Sequence, residues 1–478
     1  MEEIREHLKE QIINAIQNRN AAVLKEIFET VPNIDIAEAL EDVDDPAVLL
    51  YVFRVVDNEY SADFFAELST DQQELIIKTF SDKELMTLIS ESYADDIADT
   101  IQEMPANLVN RVLKACPKDL RNDVNRLLNY KENTAGSVMT TEYIEMKEDV
   151  KVKDAIETIR VKGKDAETVY TIFVRDSRRT LTGTVDLDDL IFAKEDEVLS
   201  DIMNRDFVSC NVNDDQEDVA KMFKRYDLTA MAVVNNENKI VGIITIDDVV
   251  DIMEEEVSED IAHMAAITDM SDPYLETPTF KLVLKCFPWI LALMVLQVFT
   301  TMILSGFESE IGKFAILAVF TPLIMDAGGN SGGQTTTMIV RSLSLDEFSG
   351  KDYGRVIWKE IRVASIIGAI VASFAFGWLM FEMSVGIVNT THSFDQITNI
   401  TVVQGRLLIA ALVAATLFVT MIISRLVGCS LPFLAKLIKL DPAVMCGPIT
   451  TTVVDIISLV TYFLIWTQVL NPLFFQIG

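Results

Sequence analysis

The chain has 478 residues, of which 73 are acidic and 40 basic, giving a formal net charge of −33. The imbalance lies in the first 280 residues, which hold 62 acids and 28 bases, whereas the remainder holds 11 and 12. Such a length and such a shift in composition exclude a single soluble domain. An excess of carboxylates excludes nucleic acid as a partner, because its phosphates need Lys and Arg, and favours metal cations.

Residues 1–132 predict an acidic all-helical domain of superhelical form. Helical periodicity runs through the segment, and Ser81 followed by Glu84 three residues later reads as a capping box at a helix start. The stretch "YADDIADT" places Asp95 and Asp99 on one helical face with no adjacent base. These two carboxylates are candidate metal ligands.

Residues 134–253 contain an internal repeat. "SVMTTEYIEMKEDVKVKDAIETI" is echoed 64 residues later by "DIMNRDFVSCNVNDDQEDVAKMF", and "LTGTVDLDDLI" is echoed 59 residues later by "IVGIITIDDVV". Each copy predicts the order β–α–β–β–α, with a longer central loop in the first copy. The pattern resembles a tandem pair of CBS domains, with copies at 133–199 and 200–253.

The CBS resemblance implies a nucleotide site in the second copy. In that family a Gly-x-x-Thr-x-x-Asp element holds an adenosine nucleotide, with Thr and Asp receiving ribose and phosphate. Gly242, Thr245 and Asp248 match this element. The first copy has Asp186 in the place of the Thr, which argues against nucleotide binding there.

An acidic helix is predicted to connect the CBS pair to the rest of the chain, within residues 247–275. "DDVVDIMEEEVSEDIAHM" holds eight acids in helical spacing, and no Lys or Arg occurs from Ile240 to Phe280. Carboxylates four residues apart on a helix destabilise it by roughly 0.2–0.5 kcal/mol per pair. We therefore expect a cation to supply the missing countercharge.

Residues 280–478 predict a transmembrane domain of five helices, because five apolar stretches are long enough to cross a bilayer, which needs ~20 residues each. The predicted spans are 283–305, 314–339, 361–388, 402–424 and 443–470. Basic residues concentrate between spans two and three and between spans four and five: Arg341, Lys351, Arg355, Lys359, Arg362, Arg425, Lys436 and Lys439. The positive-inside rule then places the N-terminus in the cytoplasm and the C-terminus outside.

Polar residues inside spans two and five are candidates for a cation path, since buried charge in a membrane is costly. In span five, Asp455 follows a Gly447-Pro448 break, which should free a backbone carbonyl, and Thr451 lies one turn before Asp455. Span two reads "MDAGGNSGGQTTT", with Asp326, Asn330 and Gln334 spaced four residues apart. Oxygen donors with few carboxylates suit a hard divalent cation.

This order of domains resembles the MgtE family of magnesium transporters along essentially the whole chain, most specifically in "MDAGGNSGGQTTTMIVRSL" and "DPAVMCGPITTTVVD". The resemblance implies a homodimeric Mg²⁺ channel of the inner membrane, with Asp455 as the selecting pore aspartate. It implies that Thr451 contributes beside Asp455 and that Asn330 lies near the pore. Asp326, Gln334, Asp441, Gly447 and Pro448 are further candidates for pore lining.

The resemblance also implies cytosolic Mg²⁺ sensing through shared carboxylates. On matching positions these are Asp63, Asp95, Asp99, Glu217, Asp227, Asp248, Asp251, Glu256, Glu259 and Asp260. Asp248 is a candidate both for Mg²⁺ sensing and for nucleotide binding. Bound Mg²⁺ would hold a compact, closed state by population shift.

Two alternatives to a channel stay open at this stage. One is a cation-coupled secondary transporter for divalent metals, and the other is a membrane-anchored nucleotide or metal sensor that transports nothing. Polar groups inside spans two and five argue against an anchor, which has no use for them. No Walker, nucleophile-elbow or HExxH motif is present, so we predict that the chain is not an enzyme.

Overall fold

A computed structural model describes residues 2–472, except residues 42, 44, 103, 269–273, 276, 346, 389–400, 446 and 471. The described chain forms two compact units, Met1–Glu254 and Glu255–Gly478, each of which is presented by itself. The fold class expected from the sequence is confirmed.

Short helices build the N-terminal part of the first unit. They are α1 Glu2–Gln17, α2 Ala21–Thr30, α3 Asn33–Leu40, α4 Pro46–Val55, α5 Asn58–Ala66, α6 Thr70–Thr79, α7 Asp82–Ser90, α8 Ala94–Gln102, α9 Ala106–Ala115 and α10 Lys118–Leu127. The predicted capping box is present at α7, where the Ser81 hydroxyl accepts from the Glu84 amide and the Glu84 carboxylate accepts from the Ser81 amide. One continuous set of buried apolar side chains joins these helices to the second CBS-like copy.

Both CBS-like copies have the predicted β–α–β–β–α order. The elements of the first are β1 Glu145–Lys147, α11 Val152–Lys162, β2 Thr171–Arg175, β3 Leu181–Asp186 and α12 Leu187–Phe192, followed by α13 Leu199–Ile202. Those of the second are β4 Ser209–Asn211, α14 Gln216–Tyr226, β5 Ala230–Val234, β6 Ile240–Thr245 and α15 Ile246–Met264.

Each copy forms a three-stranded sheet, with its first two strands parallel and its last two antiparallel. The register shifts at Val174/Arg175 in one copy and at Val233/Val234 in the other, which are equivalent positions. Phe173 of the first copy and Ile243 of the second are buried in one shared apolar cluster. The two copies therefore pack as a pair.

The second unit consists mainly of long helices. They are α16 Thr279–Gly306, α17 Glu308–Lys313, α18 Ile316–Val319, α19 Thr321–Ser344, α20 Tyr353–Val385, α21 Val402–Leu437 and α22 Pro448–Ile465. Four stretches of the described chain are long and apolar enough to cross a membrane: Thr279–Gly306, Gly350–Val385, Val402–Leu437 and Pro448–Val469. The predicted second span forms α19, which has 24 residues but a low mean hydropathy because of its Gly, Thr, Asn and Gln content.

One residue used to orient the spans lies in a different environment from the one expected. Arg425 is not in a loop, because α21 continues to Leu437 and buries its side chain at 3% exposure. Its Nη1 donates to Glu360 Oε2 of α20 at 2.8 Å. Pairing with this distant carboxylate allows the charge to be buried, so Arg425 is no guide to orientation.

Candidate metal centres

Carboxylates from the helical region and from the CBS pair perturb one another within the first unit. They come from α5 and the residue after it, from α8, from segments that precede β1 and β2, and from the first turns of α15. We call this set the acidic cluster: Asp63, Glu67, Asp95, Asp96, Glu142, Glu167, Asp247, Asp248 and Asp251.

Burial and like charge both oppose ionisation in the acidic cluster. Burial first, and then neighbouring carboxylates, raise the pKa of Asp96 to about 6 and that of Glu167 to about 7. The same two causes raise the pKa of Asp95 well above its usual range. One oxygen of Asp95, Oδ1, is buried and has no hydrogen-bond partner among the described residues. An unpartnered buried carboxylate is costly, and an oxygen-seeking divalent cation would satisfy it.

Asp248 belongs both to the acidic cluster and to the predicted nucleotide element. Its Oδ2 accepts from the Thr245 hydroxyl at 2.6 Å and from the Thr245 amide at 3.3 Å. Its charge also contributes to the raised pKa of Asp95, Asp96 and Glu167. Nucleotide and cation would therefore share this side chain.

The other predicted sensing residues of the first unit differ in setting. Asp99 is exposed on α8, one turn after Asp95. Glu217 has a basic partner, Lys221, at 2.8 Å. Asp227 ends α14 in the left-handed conformation at φ +52°. These three residues are not members of the acidic cluster as defined above, and their sensing role stays a prediction.

The predicted residues Glu256, Glu259 and Asp260 lie in the second unit, on the C-terminal half of α15. The end of that helix contacts the segment before α22. His263 Nδ1 lies 2.7 Å from Asp441 Oδ2, and its Nε2 lies 3.7 Å from Glu259 Oε1. Asp441 Oδ1 also accepts from the Ala443 amide at 2.8 Å.

A cavity of about 410 Å³ lies between α19 and α22 of the second unit. We call it the groove; its lining residues are Pro322, Met325, Asp326, Gly329, Asn330, Thr451 and Asp455. The predicted pore residues Asp455, Thr451 and Asn330 thus meet in one place, together with Asp326. Asp326 and Asn330 are exposed in the single chain, so the groove is open at its surface.

The glycines of α19 let that helix approach its neighbours closely. A Cβ on Gly329 would lie 3.4 Å from Thr451 Cγ2 and 3.5 Å from Asp455 Oδ1. A Cβ on Gly328 would lie only 2.7 Å from Ser458 Oγ and 2.8 Å from Thr420 Cγ2. Glycine therefore serves close packing, while Asp326 and Asn330 of the same helix face the groove.

The predicted Gly447-Pro448 break is present, since a short 3₁₀ helix covers Pro442–Met445 and α22 begins only at Pro448, but Pro448 frees no carbonyl of α22. Pro448 is the first residue of α22, where the missing N–H costs no intrahelical bond. Gly447 precedes it at φ +51°. Gln334, Asp441, Gly447 and Pro448 do not line the groove, so a pore-lining role for them is a prediction without support from this cavity.

Several residues of the acidic cluster were not predicted as metal ligands from the sequence. Asp96 and Asp247 stand beside identified acids in "ADD" and "IDD", and that adjacency was the available signal. Glu142 and Glu167 carry no local pattern. They are brought together by a backbone hydrogen bond from the Glu167 amide to the Glu142 carbonyl at 2.8 Å.

Comparison with known families agrees with this architecture. The MgtE divalent cation transporter model matches residues 321–465, the MgtE intracellular N domain matches 31–133, and the CBS domain matches 199–255. The magnesium transporter MgtE of Thermus thermophilus is 30% identical over 461 residues, covering 96% of this chain and 97% of that protein. The magnesium transporter MgtE of Bacillus subtilis is 28% identical over 411 residues, covering 86% of each.

A solved structure shares the fold of about half of this chain. The soluble part of a magnesium transporter superposes with a TM-score of 0.50 at 24% identity, covering 53% of this chain and 99% of that one, which shows the shared fold. The cytosolic domain of the Mg²⁺ channel MgtE in complex with ATP gives a TM-score of 0.48 at 32% identity, covering 51% and 99%. Because the Thermus protein is 30% identical over nearly the whole length of both chains, this chain belongs to the MgtE family of divalent cation transporters.

Proposed function

We propose that this protein carries Mg²⁺ across the inner membrane through the groove. The observation that carries the proposal is the meeting of Asp326, Asn330, Thr451 and Asp455 in one cavity between two membrane helices. Two carboxylates in a low-dielectric setting favour a divalent over a monovalent cation. The relatives named magnesium transporters support Mg²⁺ as the ion.

The size of the groove supports passage of a hydrated ion. Mg²⁺ gives up its water reluctantly and keeps octahedral geometry. Six waters at about 30 Å³ each occupy roughly 180 Å³, which a cavity of about 410 Å³ accommodates. Asp455 and Asp326 would then hold the ion through its water shell.

We propose that a second copy of the chain completes the path. The groove is open on one side, where Asp326 and Asn330 are exposed in the single chain. A symmetric dimer would close the opening and bring two Asp455 carboxylates to one ion.

Cytosolic Mg²⁺ would regulate this path through the acidic cluster. The unpartnered Asp95 oxygen and the all-acidic surroundings fit a cation that bridges α5 and α8 to the CBS pair. Mg²⁺ that binds the compact state more tightly shifts the population toward it. Depletion of Mg²⁺ would leave the carboxylates to repel, and the path would open.

The second CBS-like copy is the proposed site for ATP, through Thr245 and Asp248. Thr245 is the last residue of β6, and its hydroxyl donates to Asp248 Oδ2. Gly242 of the same strand has no room for a side chain, because an added Cβ would lie 2.5 Å from Met139 Sδ. In the first copy Asp186 accepts from Thr171 at 2.9 Å and stands beside the exposed Asp188 and Asp189. The first copy therefore lacks the hydroxyl that Thr245 supplies in the second.

Uptake into liposomes that contain the purified full-length protein tests the proposal. We expect Mg²⁺ entry without any proton or sodium gradient, and inhibition by Mg²⁺ on the cytosolic side. Entry that requires an ion gradient would identify a coupled transporter instead, and the absence of entry under every gradient would overturn the assignment.

A further inference from the structure

One buried hydroxyl joins three helices of the second unit. Thr336 on α19 is fully buried, and its Oγ1 lies 3.0 Å from the Gly332 carbonyl of its own helix and 3.0 Å from the Gly428 carbonyl of α21. The same atom lies 3.2 Å from Thr450 Oγ1 of α22. Three helices therefore meet at a single side chain.

The neighbouring Thr335 shows how unusual this arrangement is. Thr335 is also fully buried, and its hydroxyl donates within α19, to the Ser331 carbonyl at 3.1 Å. Bonding to the carbonyl one turn earlier is the ordinary behaviour of Thr in helices. Thr335 and Thr336 thus form a matched pair, in which only Thr336 has a described bond to other helices.

Backbone contact between α19 and α21 places the Thr336 hydroxyl at the junction. A Cβ on Gly428 would collide with the Gly332 carbonyl oxygen and lie 2.9 Å from Thr336 Oγ1. A Cβ on Gly332 would lie 3.2 Å from Thr450 Cγ2. The glycines permit the approach, and the hydroxyl adds a directional bond that fixes the register of the helices.

The first turn of α22 is contacted from outside the helix through Thr450. Its N-cap is Gly447, which has no side chain to cap the exposed amides. Thr450 lies in that turn and bonds to Thr336, while the next residue, Thr451, lines the groove with Asp455 one turn later. A rotation of this turn would move Thr451 relative to Asp455 and the ion.

We infer that Thr336 is a positioning residue for ion selection, which holds the first turn of α22 through Thr450 so that Thr451 and Asp455 face the groove together. The inference rests on the proposed transport function. It differs from a purely structural role because it predicts an effect on selectivity that exceeds the effect on stability.

The test compares Thr336→Val, Thr336→Ser and the control Thr335→Val in liposomes. Mg²⁺ uptake by the wild type establishes the transport function separately, and its absence would overturn both the function and this inference. We expect Thr336→Val to reduce discrimination of Mg²⁺ against Ca²⁺ about fivefold, the equivalent of the ~1 kcal/mol of one hydrogen bond. Thr336→Ser keeps the hydroxyl and should keep the wild-type discrimination. Thr335→Val should also leave discrimination near the wild-type value, at a thermal midpoint similar to that of Thr336→Val.

Thr450→Val removes the same contact from its other end. It should reproduce the loss of discrimination, and the double variant should lose no more than Thr336→Val alone, since that change already removes the contact with Thr450. If Thr336→Val fails to fold, Thr450→Val and Thr336→Ser decide the question. Unchanged discrimination in these variants, or an equal loss in Thr335→Val, would overturn the inference.

Discussion

His263 and Asp441 form a direct contact at the end of α15, with 2.7 Å between Nδ1 and Oδ2. Beside this contact, the carbonyl oxygen of Met264 occupies the space that a Cβ on Gly447 would need. The last turn of the acidic helix thus touches Gly447, the residue that precedes α22. Movement of that helix end would act directly on the helix that carries Asp455.

Gly447→Ala should weaken closure by cytosolic Mg²⁺. The backbone of Gly447 has φ +51°, a conformation that strains an L-residue by about 1 kcal/mol or more, and the added methyl would push against Met264. We expect the Mg²⁺ concentration for half-inhibition, measured by patch recording, to rise about fivefold. Gly354→Ala is the control, because no atom lies within 4 Å of its added Cβ; equal inhibition curves for both variants would contradict the coupling.

Asp455→Asn should abolish selectivity for Mg²⁺ while leaving assembly intact. The change keeps the shape of the side chain and removes a charge from the groove, whose remaining carboxylate is Asp326. Reversal potentials in mixed Mg²⁺ and K⁺ solutions measure the effect. Glu382→Gln is the control, since that carboxylate accepts from Trp378 Nε1 at 2.8 Å outside the groove, and wild-type Mg²⁺ flux in Asp455→Asn would refute the assignment.

Neutralising the acidic cluster should shift the Mg²⁺ dependence of closure. Asp248→Asn, Asp251→Asn or Glu167→Gln each removes a candidate ligand, and a loss of about 1 kcal/mol per site raises the required Mg²⁺ concentration about fivefold. Glu259→Gln tests the second unit in the same way. Glu237→Gln is the control, because Glu237 pairs with Lys239 at 2.6 Å on the surface; an identical shift in that variant would indicate a general charge effect.

Protonation of the acidic cluster at low pH should stabilise the first unit when Mg²⁺ is absent. Carboxyl groups with a raised pKa penalise the folded state once they ionise, so the penalty is full above pH 7 and is relieved as the pH falls through about 7 for Glu167 and about 6 for Asp96. In chelator, we expect the thermal midpoint of the full-length protein to rise by roughly 2–4 °C between pH 8 and pH 5.5.

Mg²⁺ should add less stability at pH 5.5 than at pH 8, because protonation competes with metal binding. Glu167→Gln should show a smaller pH dependence than the wild type. A midpoint that falls on acidification in chelator, or a Mg²⁺ effect independent of pH, would show that these carboxylates are not coupled to the metal.

Glu360→Gln should destabilise the second unit strongly. It leaves the Arg425 charge buried without its partner, at a cost of about 3–5 kcal/mol. The double change Glu360→Met with Arg425→Met should recover most of the stability, since apolar side chains of similar volume replace the pair. Glu347→Gln, which breaks the exposed pair with Arg341 at 3.4 Å, should leave the thermal midpoint in detergent nearly unchanged; a comparable drop would contradict the argument.

The elements that sequence reasoning placed well are those with local, repeated signals. The β–α–β–β–α order of both copies, the capping box at Ser81 and the acidic helix each depend on spacing within a few residues. Arg425 and Glu167 show the limit, because their surroundings come from partners distant in sequence. Asp455 and Asp326 could be singled out because carboxylates are conspicuous in membrane spans, and the structure places both beside one cavity. The freed carbonyl expected at Pro448 was misjudged, because a proline inside an apolar run can also begin a helix.

The polar character of α19 bears on how the protein is made. Its glycines, threonines and amides leave it less hydrophobic than the four stretches that are apolar enough to cross a membrane unaided. Such a segment partitions poorly into lipid by itself on insertion scales. We therefore expect its integration to depend on α21 and α22, which its glycines contact, so a truncated chain that ends before α21 should leave α19 outside the bilayer.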